Sequence, residues 1–196
     1  MNDRLNEILN EIRELEKSIQ EEIKRKEEEF RYTIRRRKVI FEDEVLRIQR
    51  TFSHGLLKYI FGARLLNILS APVIYFMIVP AVFLDFFVTL YQIICFPIYG
   101  IPRVKRSEHV ILDRHYLKYL NAIERFNCDY CSYFNGLASY ISEIGARTEQ
   151  YWCPIKHASG KARPHSRYHQ FADYGDAASY REKLEVLRKK FEDIDR

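Results

Sequence analysis

Hydrophobic residues first recur along this chain as a three-four stripe. Leu5, Ile8, Ile12, Leu15 and Ile19 are separated by Glu, Lys and Arg, the pattern of a coiled-coil seam. The seam weakens where Glu22 and Lys26 fall on it, and a looser stripe resumes at Phe30, Ile34, Phe41, Val45 and Ile48. No Pro or Gly interrupts residues 1–50, so the pattern predicts one long helical arm, ~75 Å if unbroken. From Thr51 to Gly62 the apolar and aromatic groups cluster at Phe52, Leu56, Tyr59, Ile60 and Phe61. This suits a short helix at the lipid headgroup level, with Gly55 and Gly62 as bends.

The alternation then disappears. Leu65 to Pro102 holds no Lys or Arg, and Asp85 is its only acid. About 18 consecutive apolar residues already suggest a bilayer-spanning helix, and this run is roughly twice that length. As one straight helix it would reach ~57 Å, beyond the ~30 Å hydrocarbon core. With Pro72, Pro80, Pro97 and Pro102 available as kinks, the expectation is a membrane hairpin, spanning or re-entrant, with Asp85 solvated near its apex. Cys95 reads as a small packing residue.

Past Pro102 polarity recovers. Leu112, Tyr116, Leu120 and Ile123 predict a helix through about Tyr133, stopped at Asn135-Gly136. A second piece from Leu137 to about Glu149 breaks at Gly145, and an irregular stretch follows from Cys153 to Asp176. Tyr180, Leu184, Leu187, Phe191 and Ile194 form a heptad tail that pairs antiparallel with the arm or is buried between subunits. The fold class expected is all-α, an integral membrane protein. Its parts are a coiled-coil arm (1–50), an interfacial helix (51–64), a membrane hairpin (65–102), a cytoplasmic Cys/His helical module (103–176) and a heptad tail helix (177–196).

Charge sets the expected topology. Arg50, Lys58 and Arg64 precede the apolar run, and Arg103, Lys105, Arg106, Arg114 and Lys118 follow it. By the positive-inside rule both flanks are cytoplasmic, which predicts an inner (cell) membrane protein with both termini inside. A single kinked span with the C-terminal part outside is the alternative. The charged beginning predicts no secretory signal peptide. The chain carries 32 Lys and Arg against 27 Asp and Glu, and the basic run Arg35–Lys38 reads as a solvated helix face. Without interleaved aromatics or a recognisable binding fold, no nucleic-acid partner is expected.

One constellation points to chemistry. Cys128 and Cys131 stand at C-x2-C spacing, and Cys153 and His157 follow as C-x3-H. Three thiolates and an imidazole are the donors of a tetrahedral Zn2+ site, and thiolates also suit an iron–sulfur cluster. The geometric condition is severe: a straight helix over 132–152 would hold Cys153 ~30 Å from Cys131, so the chain must bend back or a second subunit must contribute. The competing reading is that all are ordinary packed thiols. His165 and His169, four apart beside arginines, read as surface histidines. Arg147, Glu149, Tyr151 and Trp152 read as supporting partners of a metal site or as an interfacial belt. No nucleophile–base pattern, Walker-type loop or zincin motif occurs.

The segment Tyr116–Asp176, with its CDYC, RTEQYWCPIKHA and DYGDA stretches, resembles uncharacterised bacterial membrane proteins; the resemblance implies a membrane setting and carries no activity. Two principal functions follow from the residues: a membrane-anchored Zn or iron–sulfur accessory protein, or a coiled-coil membrane scaffold whose arm recruits a protein partner or a further copy. A thiol oxidoreductase trails, because Cys128 and Cys131 would sit where the helix dipole disfavours thiolate.

Overall fold

The structure, a computed structural model, describes residues 2–35, 38–62, 64–159 and 164–191. The protein is mostly helical, 71% helix and 6% strand. It divides into two compact units, one of residues 1–62 and 113–126, the other of 63–112 and 127–196.

In the first unit the arm, α1 (Asn2–Glu29), ends well short of residue 50. Glu27, Glu28 and Glu29 crowd its C-terminal end, where the macrodipole disfavours acids, and Arg31 leaves the helix at φ 51. The alternating, β-branched stretches on either side of the basic run then pair as antiparallel strands, β1 (Tyr32–Arg35) and β2 (Lys38–Phe41). Tyr32 stands opposite Phe41, their rings 5.5 Å apart. Arg31 is held by Glu42 and Glu44 from the far side of the hairpin. The long helix expected over 1–50 is therefore interrupted: the aromatic and β-branched residues Tyr32, Thr33, Ile34, Val39, Ile40 and Phe41 favour strand over helix here. Arg36 and Arg37, at the heart of the basic run, lie outside the described residues, as do the side chains of residues 1–9, Leu5 and Ile8 included.

Two short helices follow, α2 (Asp43–Thr51) and α3 (Leu56–Gly62). Residues 113–126 close the unit: the Lys118 N–H donates to the Gln49 side chain at 2.9 Å. Asn121 then opens the next helix with a reciprocal cap. Its Oδ1 accepts from the N–H groups of Ile123 and Glu124, and the Glu124 carboxylate accepts from the Asn121 N–H. That is a capping box built on Asn.

The second unit is organised by the apolar run. It forms α4 (Leu65–Phe76) and α5 (Ile78–Tyr99), joined only through Met77, which keeps helical dihedrals of φ −61 and ψ −16. The two count as one helix of 35 residues, Leu65–Tyr99, and the expected hairpin is absent. The irregularity at Met77 has a local cause: Pro80 has no N–H to give the Phe76 carbonyl, and its ring crowds that carbonyl. Reversal comes instead at Gly100, whose left-handed φ of 67 caps α5.

The chain then runs back along α5, through the single turn α6 (Arg106–His109). The Gln92 side chain pairs with both backbone groups of Val104, and Arg106 reaches Asp85. Asp85 is thus an ion-paired residue within a helix, not a turn apex. Helix α7 (Ala122–Trp152) next rises beside α4–α5 in the same direction. Tyr130 meets the Ile74 carbonyl, Tyr133 meets Asp85, Tyr140 meets Thr89 and Gln92, and Tyr151 stacks near Tyr99.

Neither Asn135-Gly136 nor Gly145 interrupts α7. Gly136 serves packing instead: a Cβ there would lie 2.6 Å from the His109 carbonyl oxygen. The core between these elements contains Ala81, Phe96, Ile101, Val104, Leu137, Tyr140 and Ile144. The tail, α8 (Ala177–Lys189), buries Leu184, Leu187 and the following Phe191 within this same unit. Ile194 lies outside the described residues.

Candidate functional site

The four residues proposed as metal ligands do not converge. Cys128 and Cys131 lie one turn apart on α7, half-buried and exposed respectively. Cys153 is exposed just beyond the end of the same unbroken helix. Twenty-two residues of helix separate it from Cys131 by ~33 Å, so no single ion can join the two within one chain. His157 is exposed, and its ring stacks on Tyr168 at 6.3 Å between centroids. All four cysteines are free thiols, and among the described residues no group of three or more His, Cys, Asp or Glu side chains could hold a metal ion. The separation within one chain traces to Gly136 and Gly145, neither of which bends α7.

A cluster of buried polar groups lies elsewhere, on the last three turns of α7 and the loop packed against them. Glu143 accepts from Arg147 Nε at 2.8 Å and faces Arg167 Nε at 3.5 Å. Arg147 also donates to the Pro102 carbonyl, at 2.8 Å. Arg167 donates to Gln150 Oε1 at 2.8 Å, and the Gln150 amide reaches the Leu187 and Lys190 carbonyls at 2.9 and 2.7 Å. His165 is paired with Glu149 at 3.0 Å and is mostly buried, where a surface histidine was expected. His169 is exposed. One face of α7 thereby ties together the return from α5, the irregular loop and the end of α8.

The charges of this cluster are matched internally, so what it does chemically is fix chain segments. A buried Arg–Glu pair costs desolvation, and its partners must be satisfied for it to hold. Tyr151 and Trp152 complete the end of α7 by packing on Tyr99, with centroids 5.1 and 5.2 Å away. Sequence reading singled out Arg147 and Glu149 but missed Glu143, Gln150 and Arg167. The available signal was Glu143–Arg147 at i,i+4 on a helix face; Arg167, twenty positions on in a loop, left none.

Comparison with protein-family models, with curated proteins and with solved structures gives no match. The functional reading therefore rests on the surfaces of the chain itself.

The largest such surface is the helix Leu65–Tyr99. Among the described residues it is the one helix long and apolar enough to cross a membrane, and 6% of its most apolar window is buried. Its polarity is inverted relative to a soluble amphipathic helix. The stripe facing the protein carries Tyr75, Asp85, Thr89, Gln92 and Tyr99. The exposed side carries Leu69, Val73, Phe76, Phe83, Phe87 and Ile94. On α1, Ile12, Leu15, Ile19 and Ile23 are likewise exposed, between 45% and 64%, at the spacing of a helix-pairing seam.

Proposed function

We propose that this chain is a membrane-associated scaffold, held to lipid by the helix Leu65–Tyr99 and presenting the α1 seam to a helical partner or to a second copy of itself. The observation that carries the reading is the inverted polarity of that helix from Tyr75 onward: Tyr75, Asp85, Thr89 and Gln92 face the protein, and most of its large aliphatic and aromatic groups face outward. Water would oppose that arrangement over a far larger patch than monomeric soluble proteins expose. The exposed α1 seam supplies the second half, because an apolar stripe at three-four spacing is what a coiled-coil partner covers.

The inner-membrane location, with both termini on the cytoplasmic side, is part of this proposal and rests on the basic residues flanking the run. The test is flotation of the purified full chain with vesicles, joined to its oligomeric state in detergent. The expected result is co-flotation and a defined oligomer that Leu15→Asp with Ile19→Asp dissociates. A chain that stays at the bottom of the gradient, or an oligomer indifferent to those two changes, overturns the corresponding half.

The metal-accessory reading takes second place. It now requires Cys128 and Cys131 to meet ligands from another copy, and the exposure of Cys131 and Cys153 is what favours that form. Stoichiometric zinc or iron in purified oligomer, lost in Cys131→Ser, would promote it.

A further inference from the structure

We infer that the helix Leu65–Tyr99 lies along the plane of the membrane surface instead of crossing it, immersed to the acyl–headgroup boundary with α7 and the returning segment 101–112 on its watery side. The inference rests on the membrane association proposed above and adds the orientation and the ligand class, a surface of anionic phospholipid.

Three observations lead there. The first is what accompanies the helix along its length. Tyr130 bonds to the Ile74 carbonyl and Tyr133 to Asp85, while Gln92 bonds to Val104, which fixes the level of each neighbour. A spanning placement must choose ~20 residues for the hydrocarbon core. Residues 65–84 would draw in Asn127 of α7, bonded to Tyr75, and with it the half-buried Asp129 two positions on. Residues 80–99 would draw in the Asp85–Arg106 pair together with the exposed Arg103, Lys105 and Glu108. Charged groups exposed to hydrocarbon are strongly disfavoured. Lying flat, the helix immerses its outer side and takes no charge with it, and its ~52 Å length needs no accommodation.

The second observation is the angular width of the apolar surface. At 100° per residue, Val79, Phe86 and Ile93 stand on one flank of the outermost stripe and Leu66 and Leu84 on the other, all exposed. Together they cover about half the helix circumference, ~180° at that angular step. A partner helix covers a stripe of about 100° and would leave the remainder in water, whereas acyl chains cover the whole arc. Between Cys131 and Gly145 the exposed side of α7 differs in kind: Cys131, Asn135, Ala138, Ser142 and Gly145 are small or polar and suit water.

Charge is the third. Arg64 precedes the helix, and Arg103 and Lys105 follow on the return, all exposed. Bases bordering an immersed apolar face complement anionic headgroups.

Depth measurement on the full chain tests the inference. In a Trp152→Phe background, single tryptophans replace Leu69, Phe76, Phe83 and Ile94, which lie on the outermost stripe over ~38 Å of helix. Each is quenched in phosphatidylcholine–phosphatidylglycerol vesicles by lipids brominated at different acyl positions. The expected result is one common shallow depth, ~5–10 Å below the headgroups. A depth that is greatest near Phe83 and falls toward both ends means a crossing helix; it overturns the orientation and leaves membrane association standing. Co-flotation with no quenching at any position means that another copy covers the face, which also overturns the inference. Failure to float removes both the orientation and the reading beneath it.

Discussion

Gly136 and Gly145 both sit inside α7 and have opposite reasons to be there. A methyl group at Gly136 would stand 2.6 Å from the His109 oxygen and 2.7 Å from the Val110 Cα. Both are backbone atoms that cannot rotate away. Overpacking of that kind costs ~1–3 kcal/mol, more than the ~1 kcal/mol of helix propensity that Ala adds. At Gly145 nothing lies within 4 Å of the added atom, so only the propensity gain remains. Thermal unfolding should show Gly136→Ala melting earlier than the parent and Gly145→Ala melting later; equal shifts would remove the close approach of segment 109–110 from the account. Asp173 offers a second test at this scale. A hydrogen bond from Lys156, at 2.7 Å, and the charge of that ammonium hold its carboxyl below the ordinary value. The folded form therefore gains from the pair above the unfolded carboxylate pKa of about 3.9, and the gain is lost as pH falls through the lower folded value. An NMR titration of the Asp173 carboxyl should give a midpoint below about 3.9 that returns upward in Lys156→Met.

At the scale of elements, α7 is held to its surroundings by Arg167. Its guanidinium reaches Gln150, faces Glu143 and lies over the Phe191 ring, 5.2 Å from the centroid. Arg167→Met removes the charge but keeps the bulk, leaving Gln150 Oε1 short of a donor and Glu143 with one guanidinium, that of Arg147, in place of two. Losing one partner of a buried pair costs on the order of 3 kcal/mol, a fall of roughly 6–12 °C in melting midpoint for a chain of this size. Hydrogen exchange should quicken first in the amides of α8, whose end is reached through Gln150; protection unchanged there would detach α8 from the network. How legible these elements were depended on which interaction decided each one. The apolar run declared itself, since length and composition alone make Leu65–Tyr99 apolar enough to cross a membrane. The break after Glu29 was foreshadowed by the β-branched and aromatic residues of Tyr32-Thr-Ile-Arg and Lys-Val-Ile-Phe, while the lack of Pro and Gly pointed to a continuous helix. The continuity of α7 was hidden, because Asn135-Gly136 is a local turn signal overruled by tertiary contact with His109. The single direction of the run was hidden too, since the partners of Asp85 come from Arg106 and Tyr133, 21 and 48 positions away. The divergence of Cys131 and Cys153 follows from that same α7 continuity, so the single-chain form of the metal site depended on a bend that packing did not require.

For the whole molecule the question is which force would dominate the proposed hold on a bilayer, and magnitudes decide it. Bases near an anionic leaflet contribute ~1 kcal/mol each, so Arg64, Arg103 and Lys105 together supply ~3 kcal/mol at low salt. Burying a large apolar side chain contributes ~1.5–3 kcal/mol, and the six outermost groups from Leu69 to Ile94 alone supply roughly 9–18 kcal/mol. The apolar contribution exceeds the electrostatic one several-fold. It is also untouched by ionic strength, whereas at 1 M salt the Debye length contracts to about 3 Å and the charge attraction is screened away. Vesicle-bound protein should therefore remain bound through a wash in 1 M sodium chloride and come off in detergent. Phe76→Asp with Phe87→Asp should release it without salt, because two carboxylates would have to enter the acyl boundary and two of the six anchors are lost. The bases should show themselves in the first encounter instead, as faster binding to vesicles containing phosphatidylglycerol than to neutral ones. Release by salt alone would reverse the ranking of the two forces and make the basic residues, not the inverted helix, the feature that holds this protein at a membrane.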